Sequence, residues 1–249
     1  MIKLVDINKE FKGRQVLKNI NLEIHEGETV AIIGSSGSGK STLLRLMIGL
    51  LPPTSGEIWI NDNEISKLSE RRLDQIRLTM GMVFQYSALF DSMTVGDNVA
   101  FGLREHTKLS EEEISRIVDE KLRLVDLAGF EKMMPNELSG GMKKRVSLAR
   151  AVAFGPEIIL YDEPSSGLDP IMAAKIDSLI VHTQEVMNVT SVVVTHDMRS
   201  AFYIADRIAM IYEGEIIAID TVANIKKSTD LRVQEFLRGG DRGRGETKK

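Results

Sequence analysis

The chain has 249 residues, 43% hydrophobic and 27% charged, with a formal net charge of −4. That balance excludes a fibrous or disordered protein, and the mild acidity excludes a broad electrostatic attraction for nucleic acid. Cysteine is absent, which rules out disulfide and thiolate chemistry and is consistent with a reducing compartment.

Lys3, Asp6, Lys9 and Glu10 interrupt the opening segment, where a signal peptide needs a continuous apolar stretch. No later segment approaches the roughly 18 apolar residues of a spanning helix. The expectation is a chain that neither crosses nor enters a membrane.

Ile2, Leu4 and Val5, then Val16, Leu17, Ile20, Leu22 and Ile24, mix apolar and polar residues with the period of strands covered on one face, which predicts an antiparallel β layer. Thr29 to Ile33 is a short apolar run ending at Gly34, as in a strand buried on both faces. Helical spacing follows from Ser41 to Leu50, then a strand at Glu57 to Ile60, a charged helix at Ser69 to Leu78 and a strand at Met80 to Phe84.

Between Val95 and Phe154 helical signals dominate, including Ser110 with Glu113 three residues on, a capping-box pair. Two buried-strand runs, Ile158 to Tyr161 and Thr190 to Thr195, flank a helix predicted from Pro170 to Met187, a βαβ unit that favours parallel pairing. Arg207 to Tyr212, Glu213-Gly214 and Glu215 to Ile219 read as a hairpin. A last helix is expected at Arg232 to Leu237, and a disordered tail from Gly239 to Lys249.

Chemistry enters at Gly34-Ser35-Ser36-Gly37-Ser38-Gly39-Lys40-Ser41, which matches the phosphate-loop pattern between a buried strand and a helix. The glycines let backbone N–H groups face the phosphates, Lys40 offers its ammonium to the β- and γ-phosphates, and Ser41 offers a hydroxyl to Mg²⁺. Asp162-Glu163 ends a buried run, delivering two carboxylates to a sheet edge. Asp162 suits Mg²⁺ and Glu163 suits polarising the attacking water, so a nucleoside triphosphate and Mg²⁺ are the expected ligands.

Leu138-Ser139-Gly140-Gly141-Met142 resembles the signature sequence of ABC-family ATPases, and it precedes the acidic pair in their usual order. Gln85, Asp169 and His196 fall where that family has its Q-loop, D-loop and switch histidine. The resemblance implies an α/β fold: a P-loop NTPase (RecA-like) core, an antiparallel β subdomain and an inserted α-helical subdomain. The implied organisation is a single ATP-binding domain at 1–238, with core 1–90 and 156–238 and helical subdomain 91–155.

The same resemblance implies that Phe11 stacks on adenine beside Val16, that Thr42 joins the loop at the phosphates, and that Gln85 joins Ser41 and Asp162 at the metal. Glu163, His196 and Lys40 are the implied catalytic residues. Ser139, Gly140 and Gly141, with Asp169, would serve ATP held by a second copy, so that a homodimer closes around nucleotide. At 142 a methionine stands where most members have glutamine; the expectation is altered hydrolysis kinetics with the site intact.

Phe84 to Phe90, Thr94 to Val99 and Leu103 to Thr107, with Asp169-Pro170-Ile171 and Leu231 to Leu237, are similar to the Mla- or Mce-associated phospholipid transport ATPases. This implies integral membrane permease subunits met near Gln85–Thr107, substrate-binding and small regulatory subunits, no nucleic acid, and a peripheral place on the cytoplasmic face of the inner membrane. Two other readings stay open: the ATPase of a solute importer, and a non-transport ABC ATPase. Such non-transport proteins usually carry two motif sets or a long coiled coil, neither of which is seen in this sequence.

Overall fold

Strands β1 (Ile2–Phe11) and β2 (Arg14–Ile24) pair antiparallel, with Ile2 opposite Ile24, Leu4 opposite Leu22 and Ile7 opposite Ile20. Asp6 and Asn19 adopt left-handed backbone, φ 49° and 47°, and the ladder shifts register between Leu4 and Ile7. That slip turns Ile7 to the face already used by Leu4, so Ile2, Leu4, Ile7, Leu17, Ile20, Leu22 and Ile24 are all buried despite the broken alternation. Asn21 secures the bulge, accepting from the Asp6 N–H at 3.0 Å and donating to its carboxylate at 2.9 Å.

The computed structural model describes residues 2–241 and divides into two compact units. One comprises the chain up to Leu73 together with the residues from Val192 onward, and the other is Asp74–Ser191. Helix α2 (Glu70–Arg77) and strand β8 (Thr190–Val194) carry the chain from one unit to the other.

In the first unit a four-stranded sheet runs β2-β1-β4-β5, where β4 is Ser55–Ile60 and β5 is Asn63–Glu64. Strand β3 (Thr29–Ile33) is wholly buried and pairs in parallel with β9 (Arg207–Tyr212). Strand β9 turns through Glu213 and Gly214, both left-handed, into β10 (Glu215–Thr221). Helix α1 (Lys40–Met47) follows β3. The short helices α7 (Met198–Ile204) and α8 (Val222–Ile225) and the last helix α9 (Leu231–Asp241) give Met198, Ala201, Ile225 and Val233 to a core with Ala31, Ile33, Ile208 and Met210.

In the second unit β6 (Met80–Val83) pairs in parallel with β7 (Ile158–Asp162). Four helices accompany them: α3 (Val95–His106), α4 (Glu111–Leu124), α5 (Gly140–Ala151) and α6 (Pro170–Met187). The capping box at Ser110 and Glu113 forms in both directions. Helix α5 packs against α3, α4, α6 and β6, a central place that matters below.

Strands β5 and helices α7 and α8 were not expected, because two to seven residues are too few to show a period. Helix α9 continues past Leu237 to Asp241; the rest of the tail expected from Gly239 lies outside the described residues.

Candidate functional site

The phosphate loop leaves buried β3 and enters α1. Gly39 sits at φ 106° as the first cap of α1, and a Cβ there would lie 2.6 Å from Leu17 Cδ2; at Gly34 a Cβ would lie 2.3 Å from the Ile211 carbonyl oxygen. Only glycine fits either place. The Gly39 cap supplies no side-chain acceptor to the first turn of α1, and a helix start of this kind is where backbone N–H groups bind anions in general.

Lys40 is 7% exposed, and its Nζ donates to the carbonyl oxygens of Gly34 at 2.8 Å and Ser35 at 2.9 Å. The ammonium thus closes the loop across its own mouth. Ser35, Ser36 and Gly37 are exposed, Ser38 is buried, and Ser41 and Thr42 are half-buried at the start of α1. In the same unit Phe11 is 41% exposed with Lys9 Nζ 5.0 Å from its ring centre, and Val16 is half-buried on β2. Exposed His196 follows β8 directly. Asp197, next along, caps α7 by accepting from the N–H groups of Arg199 and Ser200, so His196 is not the cap.

The remaining expected site residues lie in the second unit. Asp162 ends β7 and is 6% exposed. Glu163 follows in left-handed backbone, φ 49°, a conformation uncommon outside glycine and one that re-aims the chain at the sheet edge. Ser139 caps α5, its Oγ accepting from the Met142 N–H at 3.3 Å; Ser139 and Gly140 are exposed. Asp169 caps α6 by accepting from the N–H groups of Ile171 and Met172.

Gln85 is half-buried just after β6 and begins a segment held by α5. Arg150 donates to the carbonyls of Ser87 at 3.0 Å and Ala88 at 2.7 Å, both residues being left-handed, and its guanidinium stands 5.8 Å from the Phe90 ring centre. Burial lowers the Arg150 pKa from the usual arginine value. Lys144, buried on α5, donates to the carbonyls of Gln85 and Glu163.

Asn98, fully buried on α3, accepts from the Phe90 N–H at 2.8 Å and donates to the carbonyls of Phe90, Met93 and Thr94. Asn98→Ala should lower stability by about 3 kcal/mol, since it strands several buried backbone groups at once. A urea denaturation midpoint equivalent to less than about 1 kcal/mol of loss would show that the 90–94 loop is held by other groups.

Thr94 caps α3 and donates to Asp97 at 2.6 Å. Arg104 pairs with Asp97 at 2.8 Å and with Glu111 at 2.9 Å. The Thr94 hydroxyl and then Arg104 hold the Asp97 carboxyl below its ordinary value.

Sequence reading did not single out Lys144, Arg150 or Asn98. For Lys144 a signal existed: it lies three residues after Gly141 and four before Leu148, both buried, so the helical period puts it on the inward stripe. The run Lys143-Lys144-Arg145 concealed it by reading as a solvated face.

The family described as ABC transporter matches residues 17–166. The chain is 46% identical to the intermembrane phospholipid transport system ATP-binding protein MlaF of Haemophilus influenzae, over 95% of this chain and 90% of that one. It is 41% identical to a probable ribonucleotide transport ATP-binding protein of Mycobacterium leprae, over 96% and 69% respectively. Among solved structures, a dimeric ATP-binding cassette in a post-hydrolysis state with ADP and Pi superposes with a TM-score of 0.83 at 38% identity, over 89% of this chain and 99% of that one.

Proposed function

The chain belongs to the ABC transporter family as an ATP-hydrolysing subunit, and from that premise we propose that two copies close around ATP to drive phospholipid movement by membrane permease subunits. The observation that carries this reading is the pairing of two kinds of exposed anion-binding helix start in one chain. One is the Lys40 loop before α1, and the other is the Ser139-Gly140 edge of α5. Each can take one side of the same triphosphate when the sides come from different copies.

Within that scheme Phe11 and Val16 receive the adenine, and Gly34 to Thr42 wrap the phosphates with Lys40 as their cation. Ser139, Gly140 and Gly141, with Asp169, close from the twin. Ser41, Gln85 and Asp162 offer a hydroxyl, an amide and a carboxylate, an all-oxygen set that fits Mg²⁺. Among the described residues no group of three His, Asp or Glu side chains gathers as a metal site; an ion held by the proposed set would keep waters and phosphate oxygens among its ligands. When bound, Mg²⁺ neutralises phosphate charge. Glu163 takes the proton of the attacking water, and His196 hydrogen-bonds the γ-phosphate to orient it.

The permease would dock on the segment Gln85–Thr107, where Tyr86 is 87% exposed and Phe90 and Phe101, with ring centres 4.7 Å apart, are also open, exposed aromatic residues of the kind that mark interfaces. Residues 1–238 act as one ATP-binding domain with 91–155 as its helical part. Substrate-binding and small regulatory subunits complete the assembly. No helix among the described residues is long and apolar enough to cross a membrane. A peripheral place on the cytoplasmic face belongs to the same proposal and rests on the resemblance.

Phospholipid cargo rests on the resemblance of the 84–107 segment and on the name of the Haemophilus relative. The mycobacterial relative is named for ribonucleotide transport, a solute reading that stands against the more similar phospholipid-system relative and is not favoured by it. Purifying the intact membrane complex and extracting it for mass spectrometry decides between them. Phospholipid carried by a co-purifying substrate-binding subunit is the expected result, and a bound nucleotide-like solute with no lipid would overturn it.

A further inference from the structure

We propose that Lys144 is a positioning residue for ATP hydrolysis: from its buried place on α5 it fixes the backbone at Glu163 and at Gln85, and so sets where the proton-accepting carboxylate stands. The inference rests on Glu163 being the base, and it adds a residue that acts through that base.

The geometry is specific. Lys144 is 6% exposed, and a fully buried lysine needs partners for its donors. Its Nζ donates to the Gln85 carbonyl and, at 3.3 Å, to the Glu163 carbonyl. Those acceptors are 59 and 19 residues away in sequence, so one ammonium joins the start of the 85–90 segment, the end of β7 and the helix that begins at Ser139.

Glu163 is where such a tie matters most. Its left-handed backbone, φ 49°, is a sparsely populated state that persists only when surrounding groups enforce it. Its carbonyl accepts from the Ser166 N–H at 3.2 Å on the chain's own turn and from Lys144 across the fold. The carboxylate hangs from the same Cα, so letting the carbonyl rotate lets the carboxylate wander.

Electrostatics agree with this placement. Burial pushes the Lys144 pKa down, while the charges of Glu163 and then Asp162 oppose that shift. The cation is therefore stabilised by the charges of the acidic pair as well as by the carbonyls it holds.

A residue that merely packed α5 would affect folding and nucleotide binding together. One that positions the base affects the chemical step alone, because misplacement by about 1 Å can cost up to roughly a hundredfold in rate.

The test uses the full chain and four variants, Lys144→Met, Lys144→Arg, Glu163→Gln and the double Lys144→Met/Glu163→Gln, with kcat and KM for ATP measured for each. Lys144→Met keeps length and volume but removes every donor. It is expected to lower kcat about tenfold or more with KM within about twofold, and Lys144→Arg is expected to recover most of the loss.

In the Glu163→Gln background the same Lys144→Met change should cost less than about twofold, because the group it positions is already gone. Near-normal kcat in Lys144→Met, or an equal fold-loss in both backgrounds, would overturn the inference. If Lys144→Met does not fold, Lys144→Gln is read in the same two backgrounds. Near-normal turnover in Glu163→Gln alone would instead overturn the base assignment, and it is seen separately from the Lys144 effects.

Discussion

Glu163→Gln should bind ATP with near-native affinity, accumulate as an ATP-bound dimer, and turn over at least about a hundredfold more slowly, the scale of lost acid–base catalysis. The exchange keeps size and shape and replaces an ionised oxygen with an amide that cannot take a proton. The backbone needs no rearrangement, since the carbonyl that accepts from Lys144 and Ser166 is unchanged. A hundredfold is about 2.7 kcal/mol in the barrier. Size-exclusion with light scattering in Mg²⁺ and ATP reads the dimer, and phosphate release reads the turnover. Turnover within a few-fold of the unaltered chain would take Glu163 out of the proton-accepting role.

Lys40→Ala should fail at the earlier step. Its ammonium bridges the Gly34 and Ser35 carbonyls at 2.8 and 2.9 Å and is the cation proposed to meet the β- and γ-phosphates. Removing it loosens the loop and deletes the charge-assisted hydrogen bonds, each about 1.5–3 kcal/mol. ATP affinity by calorimetry is expected to fall at least about a hundredfold. The fold should survive, because the neighbours that build the core, Ile32, Ile33, Leu43 and Leu44, are fully buried and untouched. Unchanged affinity would contradict the phosphate-loop assignment. Together the two variants separate gripping nucleotide from cleaving it, since one binds without turnover and the other does not bind.

Most of the secondary structure was legible because its signals are local. The run Thr29–Ile33, apolar after its threonine, became buried β3, the Ser110 and Glu113 pair formed its capping box, and Pro170 opened α6 as the first helical residue. Motif residues were legible for a related reason. A glycine that tolerates no Cβ, such as Gly39 against Leu17, constrains residue type at its own position, so the pattern is written in the sequence. Met142 departs from that pattern, but its N–H still meets the Ser139 hydroxyl at 3.3 Å, because the cap needs a backbone donor and is indifferent to the side chain.

The amino-acid order by itself determined the α/β class, the strand–loop–helix around Gly34 to Ser41, and the places of Asp162, Glu163 and Ser139 at the ends of a strand and a helix. Each of these depends on neighbours within a few residues, where propensity, capping and steric exclusion act. Tertiary structure alone decided that Lys144, whose inward place the helical period allowed, grips backbone 59 residues away. It also decided that Asn98 and Arg150 hold the 87–94 segment and that Glu163 is left-handed. The physical reason is that a buried donor is committed to whichever carbonyl the packing presents, and backbone carbonyls are the same for every residue type, so no letter in the sequence marks the partner.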